Sequence, residues 1–211
     1  MALEHWATIA DERRALADDL EALSDEQWEV TSLCGGWTVR QVAGHLVVQH
    51  KTSVPKFVLE AVRAGGSFDR ANARLAVREG AQPTGELVAD LRRFAERRFS
   101  PPGFGSEAPL TDILIHGRDI RLPLALPESR PLEPYRAVLD LLVSPRARLG
   151  FVPRTLPALR LEATDLDWSH GEGDTVRGSA ADLALTLTGR PARIDALSGE
   201  GRAALWAWTR P

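Results

Sequence analysis

The strongest constraint on this chain is the spacing of its apolar residues. In "EHWATIADERRALADDLEALSDEQW", Trp6, Ile9, Leu16, Leu20 and Leu23 recur at helical intervals, which makes one stripe that must be buried against something. The period continues in "WTVRQVAGHLVV", through Val39, Val42, Leu46 and Val47, and in "PTGELVADLRRFAERRF", through Leu87, Leu91, Phe94 and Ala95. "LTDILIHGRDIRLPL" supplies a last helix of this part, ended by Pro123. Four or five amphipathic helices with short connections specify an antiparallel bundle.

Local signals place the helix ends. Ser24 with Gln27 and Thr38 with Gln41 have capping-box spacing, so the second of these starts a helix at Val39. Pro55 has no amide donor and kinks or ends that helix, with Ser53 available to cap a continuation through "VPKFVLEAVRA" that the glycines at 65 and 66 stop. "FDRANARLAVRE" reads as a polar helix and "SPPGFGSEAP" as a loop.

Beyond residue 128 the pattern changes. "EPYRAVLDLLV" is helical, "LRLEATDLDWSHGEGDTVRGSA" alternates around "GEGD" as a hairpin would, and "SAADLALTLTGR" is a helix with Gly189 just past its end. "GEGRAALWAW" closes with a short helix. The expectation is a mainly α chain: a helical bundle over 1–128 and a small α/β domain over 129–211.

Composition removes several classes of function. A net charge of −3 without a dense Lys/Arg cluster gives no footprint for nucleic acid. Arg13–Arg14 and Arg92–Arg93 lie among acidic residues and read as solvated helix faces. No stretch is apolar enough for a membrane span, and the first residues do not resemble a secretion signal. The single cysteine, Cys34, allows no internal disulfide and fits a reducing cytoplasm. It precedes two glycines with no evident basic partner, which favours packing over nucleophilic work. The G-x-G of "HGEGDTVRG" lacks the strand–turn–helix setting of a phosphate loop, and the six tryptophans, scattered without a basic patch, read as packing anchors.

The chemistry concentrates in "TDILIHGRD". Asp112 and His116 lie four residues apart, and with Asp119 they fall within an arc of about 60° on a helix, beside the stripe of Ile113 and Ile120. A carboxylate and an imidazole on successive turns can reach one divalent ion, and His45, beside the apolar stripe of its own helix, could supply a third ligand. The competing reading is a packed His45 and a surface Asp–His pair, and spacing alone leaves both open.

"SLCGGWTVRQVAGHLV", followed about 70 residues later by "LTDILIHGRDIRLPL", resembles the mycothiol-dependent maleylpyruvate isomerase family, within the wider DinB-like group of metal-binding four-helix bundles. The resemblance implies that His45, Asp112 and His116 bind a divalent metal, zinc above all. "VRGSAADLALTLTGR" resembles the family's smaller C-terminal domain. One departure is Asp112, where the isomerase carries the longer Glu. The implied activity is that of a metal-dependent enzyme using mycothiol for isomerisation or S-transfer on a small electrophile, as a monomer or homodimer. A non-catalytic metal-binding module and a metal-dependent hydrolase are the alternatives. Asp119 is a candidate to orient His116, against the reading of a polar residue near a helix end. Arg190 and Arg193 are candidates to bind an anionic substrate, against structural or solvated roles.

Overall fold

Helices of the first part begin and end where local chemistry directs. The computed structural model describes residues 4–128 and 131–210, and the chain divides into two units, Met1–Glu128 and Ser129–Pro211. The first contains α1 (Trp6–Glu21), α2 (Asp25–Trp28), α3 (Val39–Lys51), α4 (Val54–Arg63), α5 (Phe68–Gly80), α6 (Thr84–Arg93) and α7 (Glu107–Arg121). Gln27 and Ser24 cap each other reciprocally ahead of α2, and Gln41 Oε1 accepts the Thr38 N–H at 3.0 Å ahead of α3. α3 stops at Lys51, and α4 starts behind Ser53 with Pro55 in its first turn. Gly65 and Gly66 then take the left-handed conformation that ends α4.

α1, α3, α6 and α7 form the bundle: α1 packs on α6 and α7, and so does α3. Ile9, Leu16 and Leu20 of α1, Val42, Leu46 and Val47 of α3, Leu87 and Leu91 of α6, and Leu110, Ile113 and Ile120 of α7 are buried together. Each is worth about 1.5–3 kcal/mol relative to an exposed side chain. No helix among the described residues is long and apolar enough to cross a membrane.

Three expectations change here. α5, read as a polar helix, buries Ala71, Leu75 and Ala76 and packs closely on α3. Its contact uses small residues: a Cβ at Gly44 would lie 2.5 Å from Gly80 N and 2.6 Å from Ala76 O. α7 begins at Glu107, within the expected loop, because Pro109 sits in the first turn, where an N–H has no helical acceptor. Arg13 is no solvated residue. It is 4% exposed and its Nη1 donates to the carbonyls of Phe94, Ala95 and Arg97 at 3.2, 3.1 and 2.9 Å, closing the C-terminal end of α6. Arg14 and Arg92 are exposed and pair with acidic neighbours.

The second unit contains α8 (Pro134–Leu142), β1 (Leu159–Ala163), β2 (Ser169–His170), β3 (Asp174–Gly178), α9 (Ala180–Leu187) and α10 (Arg202–Thr209), with short 3-10 turns at Pro145–Leu149 and Pro191–Ala196. α9 packs on α8 and against β1 and β3, burying Leu139, Leu161, Val176, Leu183 and Leu187. Ser179 caps α9 by accepting the Asp182 N–H at 3.0 Å, and Gly189 follows the helix at φ 82°.

The expected hairpin around "GEGD" does not form. The strand order is β2-β1-β3, with β1 antiparallel to β2 and parallel to β3 in the register Leu159↔Asp174 to Ala163↔Gly178. The strands flanking "GEGD" therefore both pair with β1, and the connection passes over the start of β1. Gly171 and Gly173 make that passage possible: both have positive φ, and a Cβ at Gly173 would lie 2.7 Å from the Ala158 carbonyl oxygen.

Candidate metal centre

The turn ahead of α3 is tied to α7 before any functional side chain is considered. Ser32 N donates to Trp37 O at 2.8 Å, Cys34 N to Ser32 Oγ at 3.1 Å, and Leu33 N to the Asp119 carbonyl at 3.1 Å. This anchor seats the start of α3 against α7, and the close approach of Gly44 to α5 holds α3 from the other side. His45, the next residue, has its ring 5.4 Å from that of Trp37 and 4.7 Å, edge-on, from that of His116.

Three donor atoms converge from the two helices. His45 Nε2 lies 3.2 Å from Asp112 Oδ1, and His116 Nε2 lies 3.5 Å from the same oxygen. One ligand atom from each of the three residues falls within 4.8 Å of the other two. Asp112 and His116 share a face because they are four apart on α7, and α3 brings His45 opposite them. The side chains of His45 and His116 are 13% and 12% exposed and that of Asp112 is 21% exposed, so the cluster is lodged in the bundle yet open on one side.

Asp119 stands behind this group. It is fully buried, and its Oδ2 lies 2.8 Å from His116 Nδ1, which leaves Nε2 directed at Asp112. Asp112 also receives a hydrogen bond that spacing did not suggest: Gln49 Nε2 donates to its Oδ2 at 3.2 Å. Cys34 is a second addition. No basic residue adjoins it in sequence, but its sulfur, a His116 ring nitrogen and an Asp119 carboxylate oxygen all lie within 4.8 Å of one another. Only the tertiary docking of the 32–37 turn creates that contact, and no local signal marks it.

The electrostatics follow from these neighbours. Burial alone would raise the Asp112 carboxyl, but His45, His116 and the Gln49 amide hold it well below the usual carboxylate range. Burial would lower His116, yet Asp119, the Cys34 thiol and Asp112 push it up to about 10. Without a cation the site therefore keeps a proton on His116 between two carboxylates. The donor set suits a divalent metal: two imidazoles and a carboxylate, with one imidazole oriented by a second carboxylate. His45 Nδ1 is buried without a partner among the described residues, so this imidazole lacks the support that His116 receives.

Other candidates lie elsewhere. Arg190 Nη1 donates to Thr188 O at 3.0 Å and Arg193 Nε to Asp182 Oδ1 at 3.2 Å, both within the second unit. His50, five residues beyond His45, is 7% exposed beside Phe94 and Phe99, and neither ring nitrogen has a partner among the described residues. Burial, with Arg13 and Arg97 nearby, lowers it to about 4.

Comparison with known proteins places this geometry in context. Residues 9–100 match the family described as mycothiol maleylpyruvate isomerase N-terminal domain, a span that includes His45 but ends before Asp112 and His116. No curated protein matches the chain. Two solved structures share its fold: the mycothiol-dependent maleylpyruvate isomerase, at 15% identity and TM-score 0.59, and a histidine-to-alanine mutant of it, at 16% and 0.62. Each alignment covers 95% of this chain and 93% of the other, so the likeness extends through the helical bundle and the small α/β part. Residues 9–100 are thus similar to the mycothiol maleylpyruvate isomerase N-terminal domain, and the chain as a whole shares the fold of the isomerase.

Proposed function

We propose that this chain is a metal-dependent enzyme that uses a low-molecular-weight thiol, mycothiol, for isomerisation or S-transfer on a small electrophilic substrate. The observation that carries the reading is the convergence of His45 Nε2, Asp112 Oδ1 and His116 Nε2 from two helices on one point. The match of residues 9–100 to the mycothiol maleylpyruvate isomerase N-terminal domain supports the thiol. His45, Asp112 and His116 would hold a divalent ion such as zinc. When bound, such an ion lowers the pKa of a coordinated thiol and keeps it as thiolate at neutral pH.

The chain's own residues have separable tasks. Asp119 accepts the Nδ1–H of His116, which selects the tautomer with a free Nε2 lone pair and strengthens the ring as a ligand. Asp112 stays ionised across the neutral range, so the three ligands bring one negative charge. A divalent ion held by them keeps one net positive charge, which attracts an anionic sulfur. The open side at Asp112 gives thiol and electrophile a common approach.

Metal analysis of the purified protein after reconstitution with zinc tests the reading, with His45→Ala and His116→Ala alongside. One equivalent in the wild type and loss in both variants is expected. Titration of mycothiol into the Co(II)-loaded protein then produces a sulfur-to-cobalt charge-transfer band. Wild type that takes up no divalent ion overturns the proposal. Metal binding with a spectrum unmoved by saturating thiol overturns its thiol half.

A further inference from the structure

The two oxygens of Asp112 face different partners. Oδ1 looks toward His45 Nε2 and His116 Nε2, at 3.2 and 3.5 Å, while Oδ2 accepts from Gln49 Nε2 at 3.2 Å. Gln49 lies four residues after His45 on α3, so the helical repeat sets both on the face that meets Asp112. The same Nε2 also donates to the Leu46 carbonyl at 3.4 Å. Both amide hydrogens are thus committed, one to the backbone of α3 and one to Asp112, and the amide has little freedom to turn away.

We infer that Gln49 is a positioning residue that keeps Asp112 a one-oxygen ligand and so preserves the places around the ion that thiol and substrate need. The inference rests on the metal reading above. A carboxylate with both oxygens free can grip an ion with either one or two. Two-oxygen binding fills a further coordination place and crowds the open side of the site. The Gln49 hydrogen bond opposes this by stabilising Oδ2 away from the point where the three donors meet. Asp112 is itself part of α7, so both the amide and the carboxylate are fixed by helices and not by mobile loops.

Co(II) titration of the full-length apo protein tests the inference, with Gln49→Leu as the close-sized variant and Gln49→Ala as the second. Circular dichroism and thermal unfolding check that each is folded. The wild type should show the intense visible bands of four-coordinate cobalt. The variants should bind Co(II) about tenfold more weakly, with bands weakened and shifted as Asp112 closes with both oxygens and the ion becomes five-coordinate. Variants with wild-type band intensity overturn the inference, whether or not affinity falls, since a merely structural role would leave coordination number unchanged. Wild type that binds no Co(II) overturns the metal reading, and this inference with it.

Discussion

Replacing Gly44 by alanine sets two effects of opposite sign against each other. Alanine is the better helix former by about 1 kcal/mol in a helix interior, so without neighbours the change would stabilise α3. The new Cβ, however, would lie 2.5 Å from Gly80 N, 2.6 Å from Ala76 O and 2.9 Å from Gly80 Cα. All three obstacles are backbone atoms of α5, so no rotamer change relieves them. Reaching ordinary contact near 3.4 Å requires α3 and α5 to separate by about 1 Å at this point. A gap of that size forfeits a quarter to a half of the dispersion energy between facing atoms, and overpacking in a tight interface costs about 1–3 kcal/mol or more. Because all three obstacles are backbone, the cost lies toward the top of that range and the clash should win, with a net loss of about 1–2 kcal/mol. Urea unfolding followed by circular dichroism measures this, with Gly85→Ala as the control: that glycine is also helical, and a Cβ there meets nothing within 4 Å. Gly85→Ala should be neutral or stabilising. Gly44→Ala as stable as wild type would refute the claim that backbone approach holds α3 in place. Because His45 follows directly, the surviving folded protein should also bind Co(II) more weakly.

Other perturbations read out different links. Arg13→Met leaves three carbonyls at the end of α6 without their cation and should lower unfolding free energy by about 2–3 kcal/mol; Arg13→Lys, lacking the guanidinium fork, should not restore it. His50 titrates at about 4 when folded against 6.5 unfolded, so between these values the unfolded chain holds the extra proton. Its stability contribution is complete above about pH 6.5 and is lost toward pH 4, by about 3 kcal/mol. Comparing urea midpoints of wild type and His50→Leu from pH 8 to 4 isolates it; parallel pH profiles would contradict the assignment. Asp119→Asn should weaken zinc binding about 10–100-fold in a competition titration with a chromogenic chelator, and an unchanged affinity would show that the His116–Asp119 contact does not support the ligand.

What could be read from the sequence was what neighbouring residues decide among themselves. The reciprocal caps at Ser24 and Thr38, the break at Ser53 and Pro55, and the stop at Gly189 are each decided within a few residues of sequence. The shared face of Asp112 and His116 follows from a four-residue spacing. The seat of His45 opposite them was expected from resemblance, because no spacing relates residue 45 to residue 112. Misreadings came where the partner is distant. Arg13 serves carbonyls more than 80 residues away, and its acidic sequence neighbours suggested water. α5 appeared polar because its contact with α3 runs through Gly80 and Ala76, residues that add little to a hydrophobic stripe. The "GEGD" segment had the composition of a hairpin turn, but the strand that both its arms prefer lies earlier in the chain. Gln49 and Cys34 gained their partners only when α7 was in place.

The contact between Cys34 and His116 has a practical consequence. Cys34 is the chain's sole thiol, it is partly exposed, and its sulfur lies within 4.8 Å of a ring nitrogen of the imidazole that Asp119 orients. A thiol-reactive dye or an Ellman-type reagent therefore modifies one defined position, and its rate reports on packing beside His116. The unmodified chain already carries a single-point spectroscopic handle at its candidate site, so no cysteine needs to be removed or introduced before labelling begins.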